Sequence, residues 1–129
     1  MGLLTERISQ LCQQGISPKN IALISLHGLQ KSALNGVETL GDYRLSRFTG
    51  DYSADGKQQW TAGDIVLDSI YRFKGSQRPF IFMIDADFSR IDEKATRLFY
   101  VGMTRATLGL EIFLTPECEA ALQNNLAAQ

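Results

Sequence analysis

The run Ile21-Ala22-Leu23-Ile24-Ser25 is almost wholly apolar, and it constrains the fold more than any other stretch. A strand with one wet face alternates apolar and polar residues. A run without that alternation predicts a strand covered on both faces, as in a parallel sheet flanked by helices. The surrounding segments have the periodicity this arrangement needs. Leu4, Ile8 and Leu11 recur at helical spacing in a helix expected over Leu3–Gln14, which Gly15 and Ser17-Pro18 close. Further strands are predicted at Ile65–Tyr71, Phe80–Asp85 and Leu108–Thr115, with Pro79 at a strand entrance, where its missing N–H does least harm. Ala95, Leu98, Phe99, Gly102, Met103 and Ala106 form one apolar stripe on a helix expected from Asp92 to about Thr107. Ser89 to Asp92 supply cap chemistry for it, and Asp92 and Glu93 suit its positive end. Pro116 opens a C-terminal helix at its favoured first-turn position.

Two stretches are less regular. Leu29–Leu34 reads as a short helix after Gly28, closed by Asn35-Gly36. Residues 41–63, with Gly50, Gly56 and Gly63 among aspartates, read as an irregular loop region holding at most a short strand at Leu45–Phe48. Alternating helices and buried strands predict an α/β fold with a mainly parallel sheet covered on both faces. A chain of 129 residues suits one domain over 1–129, and its 44% hydrophobic content suffices for a core.

Charge excludes one simple reading. The formal net charge is −1, so any contact with nucleic acid must come from a local patch and not from a strongly basic field. Cys12 and Cys118 stand near opposite ends without CxxC spacing, which indicates neither a zinc site nor a disulfide framework. No run approaches the roughly 18 apolar residues of a membrane span. With no secretory signal visible, a cytoplasmic protein with no membrane partner is expected.

Two constellations carry possible chemistry. Ser69-Ile70-Tyr71-Arg72-Phe73-Lys74-Gly75-Ser76-Gln77 follows a predicted buried strand, and ligands of open α/β sheets sit beyond the carboxyl ends of strands. A glycine beside Arg72 and Lys74 suits an anion, though a solvated basic turn has the same composition. The second is Arg97-Leu98-Phe99-Tyr100-Val101-Gly102-Met103-Thr104-Arg105-Ala106 on the striped helix. Arg97, Val101 and Thr104 face away from the stripe, while Arg105 lies on its flank, where the stem can pack and the guanidinium project.

Together these stretches resemble the UvrD/Rep superfamily 1 helicases. Ser69 to Gln77 is similar to motif V, written T-x-H-x-x-K-G-L-E, in the compact form whose core is Arg-Phe-Lys-Gly. Arg97 to Ala106 is similar to motif VI, R-L-x-Y-V-A/G-x-T-R-A, with Tyr100 to Ala106 matching at seven consecutive positions. The resemblance covers about residues 20 to 115, with Ile21–Ser25 as the strand opening motif IV. It implies a RecA-like three-layer α/β/α domain that closes on ATP and Mg²⁺ held by a partner N-terminal RecA-like domain, and that moves along single-stranded DNA. Arg105 is then the arginine finger. Gly75, Gln77 and, after the motif IV strand, Lys31 are nucleotide ligands. Ser69, Tyr71, Arg72 and Lys74 are DNA contacts. Tyr71 stands where the family has histidine, and Ser76-Gln77 where it has Leu-Glu.

No G-x-x-x-x-G-K-[ST] phosphate loop occurs. The expectation is a fragment of a longer protein that binds no cofactor and hydrolyses no ATP by itself. Asp85 and Asp87 end a strand, but without a phosphate loop they read as cap and loop residues, and no metal site is expected. A stand-alone nucleic-acid-binding module and a receiver-type regulator phosphorylated on Asp85 or Asp87 are the competing readings.

Overall fold

The computed structural model describes residues 2–73 and 77–127. Five-residue β1 (Ile21–Ser25) is buried at every position, as its lack of alternation requires. It pairs in parallel with β6 (Ile65–Ser69) on one side and with β7 (Arg78–Ala86) on the other. The six-stranded sheet is completed by β2 (Thr39–Leu40), β3 (Tyr43–Ser46) and β8 (Ala106–Leu114), in the order β2-β3-β6-β1-β7-β8. Only the β2–β3 pair is antiparallel.

Alternate residues of each strand feed opposite cores. Ile21, Leu23, Phe82 and Ile84 pack with Leu4, Ile8 and Leu11 of helix α1 (Gly2–Gln13). Ala22, Ile24, Ile81 and Met83 face the other way, towards α2 (Ile70–Phe73), α3 (Glu93–Met103) and α4 (Pro116–Ala127). The architecture is thus a three-layer α/β/α sandwich with a mostly parallel sheet. Arg7 of α1 makes a two-toothed bond to Glu111 of β8, at 2.8 and 2.5 Å, tying the helix to the sheet's edge strand. No helix among the described residues is long and apolar enough to cross a membrane.

Several boundaries differ from the sequence expectation, each for a physical reason. The strand expected to reach Tyr71 stops at Ser69, where its pairing with β1 ends. The Ser69 hydroxyl accepts the Arg72 N–H at 3.2 Å, which starts α2. The helix expected to reach Thr107 ends at Met103, because β7 captures Ala106 as the first residue of β8. The stripe therefore holds for Ala95, Leu98, Phe99 and Gly102 but not beyond, and Met103 is 51% exposed. Asp92 is the cap, its carboxylate accepting the Ala95 N–H at 2.8 Å. Leu29–Leu34 shortens to a 3₁₀ turn over Leu29–Lys31.

Residues 41–63 are the largest correction: they are built of hairpins. Gly41 (φ 58°) lies in the tight turn joining β2 to β3, and Gly56 (φ 84°) in the turn joining β4 (Phe48–Tyr52) to β5 (Gln58–Trp60). Both angles are left-handed, and there glycine marks a hairpin turn.

Candidate functional site

The carboxyl ends of β1 and β6 open onto a cavity of about 600 Å³, whose walls include His27, Lys31, Phe48, Tyr71, Arg72 and Lys94. Ser69 also lines it. Among the described residues no aspartate or glutamate does so, which makes the cleft locally basic on a chain of net charge −1.

Arg72 is fixed from two sides. Its Nε stands 3.6 Å from an Asp68 carboxylate oxygen, and its guanidinium lies 4.1 Å over the Phe48 ring. Asp68 is only 3% exposed, and burial pushes its carboxyl up to about 6, against the opposing pull of the Ser69 N–H and Arg72. Tyr71, one residue before Arg72, is 54% exposed and turns its ring outward.

The wall carrying His27 and Lys31 is anchored by Asp85, near the end of β7, and Asp87, just after it. Asp85, at φ 61°, accepts from the Ser25 hydroxyl at 2.5 Å and from the Ala33 N–H at 2.9 Å. Asp87 lies 2.7 Å from His27 Nε2. Both carboxylates thus brace the loop after β1, a role their sequence positions alone do not reveal. Among the described residues no group of three His, Cys, Asp or Glu is arranged to hold a metal ion.

Gln77 and Arg105 belong to a different rim. Gln77 directly precedes β7 and Arg105 directly precedes β8, so both sit at the amino ends of neighbouring parallel strands. The Arg78 N–H donates to the Arg105 carbonyl at 3.0 Å and locks the two segments together. Half-buried Arg105 folds its guanidinium over its own turn, donating to the Val101 carbonyl at 3.3 Å and to the Thr104 hydroxyl at 3.1 Å. No carboxylate among the described residues pairs with it, whereas Arg7, Arg72 and Arg97 each have one. Arg78 also lacks an acidic partner there and bonds the Gln77 carbonyl at 3.0 Å.

The candidates therefore fall into two groups. Ser69, Tyr71 and Arg72 share the cleft with Lys31, which sequence resemblance groups with the nucleotide ligands. Gln77 and Arg105 adjoin each other at the far rim. Lys74 and Gly75 lie outside the described residues. Phe48, Lys94 and Arg78 are added to the two rims without any sequence signal of their own, whereas His27, like Lys31, is a cationic candidate just after the motif IV strand. Phe48 in particular comes from the stretch that reads as loop.

A three-layer α/β/α domain with a mostly parallel sheet is consistent with a RecA-like fold. Residues 64–112 match the family model of the UvrD-like helicase C-terminal domain. That matched stretch runs from just before β6 through α2, β7 and α3 into β8, so the part of the chain holding both rims is similar to the C-terminal domain of UvrD-like helicases. No curated protein matches the chain.

Proposed function

We propose that the chain is the second motor domain of an ATP-dependent DNA helicase or translocase, supplying an arginine finger on one rim and single-stranded DNA contacts on the other. The observation that carries this reading is the Arg78-to-Arg105 main-chain bond, which sets beside Gln77 an arginine that has no acidic partner among the described residues. Charge develops on the oxygens of a transferring phosphoryl group, so a fixed guanidinium stabilises the transition state more than the ground state. The chemistry of the residues fits the phosphate end of a nucleotide: Arg105 brings charge and Gln77 an amide, with Gly75 in the same segment. ATP and Mg²⁺ would be gripped by a separate RecA-like domain with its own phosphate loop. The chain alone is then inactive as an ATPase.

On the other rim, Arg72 and Lys31 offer charge to DNA phosphates, and Tyr71 offers a ring to a base. Lys31 is proposed here as a polynucleotide contact because it lines the same cavity as Arg72.

The test uses the motor assembled with its nucleotide-gripping domain. Arg105→Ala lowers turnover by about three to five orders of magnitude and largely spares ATP binding. Near-normal turnover rejects the finger. A second reading, a stand-alone nucleic-acid-binding module, is favoured by the fact that the described cleft is built from this chain alone. It predicts oligonucleotide affinity indifferent to nucleotide state, whereas the motor reading requires that affinity to change with ATP.

A further inference from the structure

The β4–β5 hairpin has an aromatic cluster that its own folding does not use up. Phe48 stands opposite Trp60 in the ladder, with ring centroids 6.0 Å apart, and Tyr52 packs its edge on Phe48 at 5.4 Å. The Phe48–Trp60 pair is the cross-strand contact that supports the hairpin. Yet Tyr52 is 60% exposed and Trp60 37%. Isolated hairpins are marginal in water, and this one is held to the domain by Arg72 over Phe48 and by Thr61, whose hydroxyl accepts the Arg47 N–H at 3.0 Å and donates to the Leu45 carbonyl at 3.2 Å. Phe48, Thr49 and Gly50 form one wall of the basic cleft. The exposed rings are thus linked, through Phe48, to a cavity whose charged lining residues, Lys31, Arg72 and Lys94, are all cations.

We propose that this hairpin is a base-stacking platform: single-stranded nucleic acid leaving the cleft lays bases on Tyr52 and Trp60 while Lys31, Arg72 and Lys94 hold its phosphates. Charge complementarity selects this occupant, since a polyanion with flat apolar faces matches cations interleaved with aromatic rings. The platform rests on the reading of the cleft as a DNA site and adds to it a second, separate set of contacts.

Trp60 is the single tryptophan of the chain, so its emission reports the hairpin directly. The chain is titrated with a 5′-labelled oligothymidylate while label anisotropy and tryptophan emission are read in parallel. Tryptophan emission is expected to quench along the same saturation curve as the anisotropy, and both to weaken as salt rises. Tyr52→Ala, at an exposed position, is expected to raise the dissociation constant about fivefold or more, the lower range for one stacked base, with unchanged circular dichroism. Binding by anisotropy without quenching, and with Tyr52→Ala neutral, overturns the platform and leaves the cleft standing. Absence of binding by anisotropy overturns both. Emission that shifts with protein concentration and not with oligonucleotide assigns the rings to self-association and likewise overturns the platform.

Discussion

Asp68 holds a carboxyl in a buried position with one firm N–H partner and a cation at 3.6 Å, and its proton affinity rises accordingly, to about 6. The direction has a consequence for stability. Below about pH 4 the carboxyl is protonated whether the chain is folded or unfolded. Between there and about 6 the folded chain keeps a proton that the unfolded chain has released, so stability from this group falls as pH rises through that window. Asp68→Asn removes the titration and retains an acceptor for the Ser69 N–H. The melting temperature of the variant relative to the parent is therefore expected to climb between pH 4 and 7. A flat or falling difference in thermal melts would show that Arg72 fully compensates the buried charge. None of this was legible in the sequence. Asp68 sits in a strand pattern that announces only burial, and its partner Arg72 is held by a ring from a distant hairpin.

Elements were legible where burial imposes a period. The continuous run of β1 and the Leu4, Ile8, Leu11 spacing of α1 gave both elements their boundaries to within a residue, because each must fill a dry layer. The hairpin escaped notice because β4 and β5 are largely exposed and have no inward face to write a pattern. The glycines of residues 41–63 resembled loop residues, although Gly63, just past the hairpin, is structural. A Cβ at Gly63 would lie 2.5 Å from the Ser46 nitrogen and 2.6 Å from the Leu45 carbonyl carbon, both backbone atoms that cannot yield without parting the sheet. A Cβ at Gly102 would also meet atoms at 2.5 and 2.6 Å, but these are the flexible end of Met83. Overpacking costs about 1–3 kcal/mol, and Gly63→Ala is expected at the upper end of that range, with Gly102→Ala at the lower. Denaturant unfolding of the two variants measures the order, and a larger loss at Gly102 would contradict it.

At the scale of the whole molecule, the two groups of candidate residues occupy opposite rims of one sheet. The sequence put Ser69 to Gln77 beyond the carboxyl end of a strand but could not show that Gln77 and Arg105 meet at the opposite rim, since that depends on which strand ends meet. Ser25, beside the cleft, is level with Ile84, six residues along β7 from Arg78. At about 3.3 Å per residue the rims stand roughly 20 Å apart. Sites farther apart than about 10 Å without shared partners act independently. Arg105→Ala is thus expected to leave the oligonucleotide affinity of the chain within about twofold, while Arg72→Ala weakens it. A strong effect of Arg105→Ala on that affinity would mean the rims communicate inside the domain. A parallel sheet clamped between helices is stiff along its strands, and it relays displacement without deforming. On the motor reading, fuel and track have no short wire between them. The gearing must then reside in how this rigid slab swings against its neighbour, and a hinge lesion outside this chain would idle the engine with both grips intact.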